Sequence, residues 1–372
     1  MPQKKKTTDR LTNGTAASSI ESASDARLSY VTDQQPGISR VRAGKGFRYY
    51  DPRGRLIRDS AILRRIQSLV IPPAWKDVWI CSNPQGHLQA TGRDSRKRKQ
   101  YRYHPRYRAA REENKYGKMV LFGQMLPRIR RKVRRDLSLP GLPEQKVVAT
   151  VVRLMDLAQL RVGNEEYARE NQTYGLTTMR NRHVRINGST LHFQFKGKSG
   201  QVHELDLQDR RLATIVKLSR ELPGYELFQY LDERGAHMPL ESGMINQYLR
   251  ETTGEDITAK DFRTWHGTVQ AAQELGSCGA ASTKTEVKRN VVAATKAVAG
   301  KLGNRPATCR KHYIHPAVLE LYEAGGLDRY MSLKPTGQKL RGLDGFEKCV
   351  LKMLQSYLPS HASNASSTFP PR

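Results

Sequence analysis

The chain has 372 residues, and its 64 lysines and arginines against 35 aspartates and glutamates give a formal net charge of +29. So basic a protein repels itself unless an anionic partner neutralises it, which points to nucleic acid, whose phosphates supply most sequence-independent affinity. An anionic membrane is the weaker alternative: no apolar run approaches the roughly 18–20 residues needed to span a bilayer, and no basic amphipathic helix stands isolated at a terminus.

Residues 1–35 are rich in Ser, Thr, Ala, Asp and Lys, a composition that predicts a disordered tail. MPQKKKTTDR has charge but no apolar segment behind it, so no secretory signal is expected, and a reducing, cytoplasmic location follows. A β-rich N-terminal domain is expected over 36–108. There GFRYYDPRGRLI predicts a hairpin turning at Asp51–Gly54, and SAILRRIQSLVIPPAW a short helix ended by Pro72-Pro73. DVWICSNPQGHLQATGRD predicts a strand pair turning at Asn83–Gly86.

After Pro105 the periodicity becomes helical, and a mostly helical domain is expected over 109–358. QKVVATVVRLMDLAQLR puts Val148, Val151, Val152, Met155 and Ala158 on one buried face. A β island, HVRINGSTLHFQFKGKSGQVHELDL, interrupts the helices, with turns at Asn187-Gly188 and near Gly197–Gly200. Helices resume in TWHGTVQAAQEL, TKTEVKRNVVAATKAVAGKL and HPAVLELYEAGG, and residues 359–372 read as a second disordered tail. The fold class expected is therefore α+β. The cysteines at 81, 278, 309 and 349 lie far apart with no C-x-x-C, which indicates neither zinc nor a disulfide framework.

Five segments carry chemistry. GRDSRKRKQYRYHPRYR alternates cations with Tyr101, Tyr103 and Tyr107, a pattern suited to phosphates and base edges. In LAQLRVGNEEY, Arg161 closes an apolar helix and needs an anion; Glu165 or Glu166 would be the bland partner. In FKGKSG, Lys198 sits at a turn tip, able to swing over a substrate. A phosphate-cradling loop is ruled out because position 192, where its first glycine belongs, is histidine. In TAKDFRTWHGT, Thr258 and Asp261 suggest a capping box with Lys260 and Arg263 behind it. In LGNRPATCRKHYIHP, Tyr313 is crowded by Arg310, Lys311, His312 and His315, and neighbouring positive charge favours a phenolate. Two arginines, two lysines and a tyrosine make a poor metal site. They make a good phosphodiester site: arginines grip anionic oxygens, tyrosine attacks phosphorus, and lysine returns a proton.

Together and in this order, IPPAW, GRDSRKRKQYRYHPR, KYGKM, LRVGNEEY, GKSG, KDFRTW and LGNRPATCRKHYIHP resemble the type IB DNA topoisomerases of the bacterial and poxvirus-like branch, from about Gly37 to about Gly326. The resemblance implies that Arg161 and Arg263 bind the scissile phosphate, that Lys198 is the general acid, that Lys260 supports the site, and that Tyr313 is the nucleophile. Poxvirus-type members carry a histidine nine positions before the tyrosine; here that position is Asn304, which donates a hydrogen bond but carries no charge. Gln100, Tyr101 and Tyr103 match DNA contacts of the first domain, and Asn164 and Tyr167 those of the second. The resemblance further implies a clamp around duplex DNA, a catalytic domain related to tyrosine recombinases, a monomer, a nucleoid-associated location, and no metal, ATP or other cofactor. Two alternatives are a tyrosine recombinase, which usually shows His-x-x-Arg where this chain has Lys260-Asp261-Phe262-Arg263, and a non-enzymatic architectural DNA-binding protein, which has no need of all five motifs.

Overall fold

A computed structural model describes residues 19–20, 22–44, 46–95, 97–331 and 342–365. The chain divides into two compact units, Met1–Tyr116 and Gly117–Arg372, a division eight residues beyond the expected one. It falls inside a single long helix, Pro105–Asp136 (α2).

The first unit is built on an antiparallel sheet in the order β2-β1-β3-β4-β5, from strands β1 (Ile38–Ala43), β2 (Gly46–Tyr50), β3 (Lys76–Ile80), β4 (Leu88–Arg93) and β5 (Lys99–Tyr103). The expected β3–β4 pair is present, with the Gly86 amide donating to the Asn83 carbonyl across its turn. The hairpin expected around Asp51–Gly54 is present but short. Asp51 does organise that turn, accepting from the amides of Arg53 and Arg55. The returning limb, however, makes only an isolated bridge, Tyr50 to Leu56, and the true partner of β2 is β1. Helix α1 (Ser60–Ser68) starts where Asp59 accepts from the amides of Ala61 and Ile62, a cap worth about 1 kcal/mol. It sends Ile66 into a small core with Ile38, Val78, Ile80 and Ala90.

Part of the expected N-terminal tail is packed. Ala23, Ala26 and Leu28 are buried with Tyr107, and Ser29 bridges Gly86. The Val31 amide donates to His87 Nδ1, and Asp33 takes a hydrogen bond from Thr91 and an ion pair from Lys99. Residues 22–33 thus strap the outer strands β4 and β5. Small Ser and Ala side chains let that strap lie close, and the same residues make it look disordered by composition. Residues 1–18 and 366–372 of the two expected tails lie outside the described residues. Helix α11 (Gly345–Ala365) runs past the expected boundary at 358.

The second unit is mixed, with a helical core and two small sheets. Helix α3 (Glu144–Ala158) is buried on more than the expected face: Val147, Ala149 and Leu154 join Val148, Val151, Val152 and Met155, while Ala158 is half-buried. The reason is its central place among α5 (Arg210–Glu221), α6 (Ser242–Thr253), α7 (Ala259–Cys278) and strand β9 (Gln229–Leu231). Trp265 and Phe262 of α7 pack around Phe122, with the two phenyl rings edge-to-face at 5.0 Å. The β island is an antiparallel sheet of β6 (Val184–Asn187), β7 (Thr190–Lys196) and β8 (Val202–Gln208), turning where the glycines predict. Helices α8 (Lys284–Leu302), α9 (Pro306–His312) and α10 (Pro316–Glu323) follow. Among the described residues no helix is long and apolar enough to cross a membrane.

Candidate active site

Helix α3 delivers Arg161. At its C-terminus Gln159 adopts a left-handed conformation (φ 57°) and its amide closes on the Met155 carbonyl. This is unusual for a side-chain-bearing residue and marks a constrained turn. Just beyond, Leu176 and Thr177 donate to the carbonyls of Arg161 and Val162. A Cβ on Gly175 would fall 2.5 Å from the Cα of Gly163 and 2.8 Å from the Arg161 carbonyl. The glycine of the LRVGN motif therefore serves backbone proximity: two strands of loop are pressed together to fix Arg161.

Helix α7 delivers Arg263. Its first turn is the expected capping box, with Asp261 accepting from both the amide and the hydroxyl of Thr258. One turn later Arg263 is 5% exposed. Its guanidinium donates to the Gln159 carbonyl and, at 2.6 Å, to the Leu302 carbonyl at the end of α8. Gly303 caps α8 in the left-handed region (φ 60°), and Arg161 Nη2 donates to its carbonyl at 3.3 Å and to Asn304 Oδ1 at 2.5 Å. The amide of Asn304 is thereby oriented, and its buried Nδ2 has no protein partner among the described residues; neither has Arg263 Nε.

Tyr313 follows α9 and lies under the Arg263 guanidinium, 5.2 Å from its ring centre. The same helix that carries Arg263 makes room for it. A Cβ on Gly267 would fall 2.5 Å from the Tyr313 carbonyl, and the His315 amide donates to Thr268. Four residues separate Arg263 from Gly267, so both share one face of α7.

The electrostatics follow from this crowding. Burial pushes the Arg161 guanidinium down, partly countered by Tyr313. Burial and the charge of Arg161 push Arg263 down to about 10. Burial pushes the Tyr313 phenol up, but the charges of Arg263 and Arg161, a hydrogen bond from Arg263 and the charge of Lys260 pull it below its ordinary 10.0. No carboxylate among the described residues pairs with either arginine. Glu165 is not the partner of Arg161, and the Glu166 side chain lies outside the described residues. A buried and a half-buried guanidinium facing a phenol with no acid among them are poised for an external anion.

Arg161 thus touches both Asn304 and Tyr313, Arg263 lies over Tyr313, and Lys260 is near enough to act on Tyr313. Lys198 is exposed on a short 3₁₀ turn (Lys198–Gly200) joining β7 to β8, and among the described residues its ammonium has no hydrogen-bond or ion-pair partner. On β5, Gln100 donates to Asp94 at 3.0 Å, Tyr101 is 47% exposed, and its ring stacks on that of Tyr103 at 6.0 Å. Asn164 is exposed just before helix α4 (Glu165–Asn171); the side chain of Tyr167, within that helix, lies outside the described residues. Sequence reasoning missed His203, whose ring lies beside Gly197 and Gly303, and it missed Gly267. Among the described residues no group of three or more His, Cys, Asp or Glu is placed to hold a metal ion.

The sequence matches the family described as "Eukaryotic DNA topoisomerase I, catalytic core" over residues 98–330, and "Bacterial DNA topoisomerase IB, N-terminal domain" over residues 46–94. It is 33% identical over 294 residues to the DNA topoisomerase 1B of Acanthamoeba polyphaga mimivirus, covering 77% of this chain and 88% of that protein. It is 23% identical over 271 residues to the DNA topoisomerase I of Monkeypox virus, covering 71% and 82%. Against the DNA topoisomerase 1 of Mycosarcoma maydis it is 28% identical over 176 residues, which cover 42% of this chain and 17% of that protein.

Proposed function

The chain belongs to the type IB DNA topoisomerases, and we propose that it relaxes supercoiled duplex DNA through a transient 3′-phosphotyrosyl intermediate on Tyr313. The observation that carries this reading is the acid-free cluster in which Arg263 and Arg161, the latter holding Asn304, face the Tyr313 phenol. The phenolic oxygen attacks a backbone phosphorus. A bond from that oxygen to phosphorus forms, the bond to the 5′-oxygen breaks, and the phenolic proton passes to water. Arg161, Arg263 and Asn304 hold the non-bridging oxygens as charge builds, the kind of stabilisation that dominates such reactions. Lys198 gives the departing 5′-oxygen its proton, and Lys260 adds positive charge beside Tyr313. The free end rotates, and the 5′-hydroxyl then attacks the phosphotyrosine to restore the strand. One phosphodiester replaces another, so the cycle needs no ATP, and the cationic side chains take the part a metal would play.

The same reading makes 36–108 a DNA-binding domain, with Gln100, Tyr101 and Tyr103 on the duplex, and 109–358 the catalytic domain, with Asn164 and Tyr167 as further contacts. It also makes the protein a monomeric clamp around DNA, with a catalytic domain related to the tyrosine recombinases, acting in the nucleoid-bearing cytoplasm. The support is the family membership, the exposed Tyr101 stacked on Tyr103 of β5 and the charge of +29.

The test is relaxation of supercoiled plasmid in EDTA without ATP. Wild type is expected to relax it and to be trapped on DNA by detergent. Tyr313→Phe is expected to bind DNA with near wild-type affinity but to do neither. A covalent adduct that persists in Tyr313→Phe rules out Tyr313 as the nucleophile.

A further inference from the structure

The reading above leaves a mechanical problem. The proposed proton donor, Lys198, stands on an exposed hairpin tip, while the groups that would hold the phosphate sit at the ends of α3, α7 and α8. Something must hold the tip against them, because misplacement by about 1 Å is enough to cost roughly 10²-fold in rate.

His203 occupies that junction. It lies on β8 directly opposite Phe195 of β7, and the two rings stack at 5.1 Å and 18°. The far side of the imidazole meets two glycines. A Cβ on Gly197 would fall 2.5 Å from His203 Cδ2, and a Cβ on Gly303 would fall 2.4 Å from His203 Cε1. Gly197 immediately precedes Lys198. Gly303 immediately precedes Asn304, and its carbonyl accepts from Arg161. The hairpin is closed just at this point, with the Gly197 amide donating to the Gln201 carbonyl at 2.7 Å. One flat ring is therefore seated between the backbone that carries Lys198 and the backbone that carries Asn304. No side chain other than glycine fits at either seat without moving it.

We propose that His203 is the positioning residue that docks the Lys198 hairpin onto the arginine–asparagine cluster, so that proton delivery and phosphate binding share one geometry. It acts through Lys198 and does not itself touch the reacting atoms. Burial, with the charges of Arg161 and Arg263, holds its pKa below the ordinary 6.5, so the ring sits neutral at neutral pH and adds no charge to the crowded cations. The proposal rests on Lys198 as the proton donor.

A substrate whose bridging 5′-oxygen is replaced by sulfur separates the possibilities, because a thiolate leaves without a proton. Single-turnover cleavage is measured on the oxygen and sulfur substrates for wild type, Lys198→Ala, His203→Ala, His203→Gln and His203→Phe, each first shown by thermal melting and DNA binding to be folded. On the oxygen substrate His203→Ala and His203→Gln are expected to slow cleavage roughly 10²-fold, as Lys198→Ala does. On the sulfur substrate all three should recover to near wild type. His203→Phe, which keeps a flat ring in the seat, should retain most oxygen-substrate activity. If Lys198→Ala is rescued by sulfur but the folded His203 variants are slowed equally on both substrates, His203 serves the phosphate-binding groups or the fold at large and the proposal fails. If Lys198→Ala itself is not rescued, the assignment of Lys198 as proton donor is what fails, and the docking role falls with it. Full oxygen-substrate activity in His203→Ala also overturns the proposal.

Discussion

The second unit holds two arginine centres served by one helix, and they are opposites. Arg130, on α2, is held by two acids: Asp156 at 2.8 Å through two nitrogens, and Glu347 at 2.7 and 2.9 Å. The Gly342 carbonyl accepts a further hydrogen bond, His266 closes on Asp156, and Trp265 donates to Glu347. Burial alone would push the Arg130 guanidinium down, but the two carboxylates drive it well above its usual range. Arg161 and Arg263 have backbone carbonyls and one amide instead, and both shift down. Helix α7 serves both centres, with Arg263 and Gly267 toward Tyr313, and Trp265 and His266 toward the Arg130 fork. A buried cation that has its acids is a structural element. One that lacks them has given up stability for an anion it must find outside.

The largest effect expected from breaking this contrast is on stability. Arg130→Ala strands Asp156 and Glu347, whose side chains are 4% and 3% exposed, without their cation. A loss of about 3–5 kcal/mol is expected, read as a lowered midpoint in urea unfolding. A loss under about 1 kcal/mol would mean that water or His266 replaces the guanidinium, and the two centres would then not differ in kind.

A second substitution converts one centre into the other. Asn304→Asp places a carboxylate where Arg161 now meets an amide oxygen at 2.5 Å. Arg161 gains the partner that Arg130 has, so unfolding should be unchanged or slightly harder. The incoming phosphate loses a donor and meets a negative charge, so cleavage should fall by about 10²–10³-fold, the usual cost of one such donor. Melting and single-turnover cleavage measured on the same sample check both halves. Retained cleavage would show that Asn304 does not face the phosphate.

Much of this was legible in the sequence, and for a common reason. The β island, the α7 capping box and the run of late helices follow from periodicity and turn residues acting within a few positions of one another. That Arg161, Arg263 and Tyr313 would gather was legible because charged residues inside apolar helical patterns demand an explanation. What escaped depends on distant partners. β2 finds its regular ladder with β1 and only a single bridge with the limb after Asp51–Gly54, because sheet register is settled by the surrounding core. The strap at 22–33 escaped because Ala23 and Ala26 signal burial only when the groove beneath them is known. His203 alternates along β8 like any strand residue, and Gly267 reads as a weak spot in a helix. Only the meeting of β8 with Gly303, and of α7 with Tyr313, gives either residue a meaning.

The smallest expected effect is the most direct reading of the acid-free centre. A buried tyrosine should ionise at higher pH than a free one, yet Tyr313 is drawn below 10.0 because the attraction of Arg263, Arg161 and Lys260 outweighs its burial. The tyrosinate absorbance that Tyr313→Phe removes should therefore titrate in the folded protein at a pH below 10.0. In Arg263→Met the charge is gone while the surrounding side chains remain, so burial takes over and the midpoint should move up. Cleavage by wild type should rise with pH toward that midpoint as phenolate becomes available. In Arg130→Ala, if it folds, the midpoint should not move, because Arg130 spends its charge on Asp156 and Glu347. An equal shift in both variants would mean that the phenol responds to the net charge of the unit and not to the guanidinium above its ring, and the contrast between the two centres would lose its electrostatic basis.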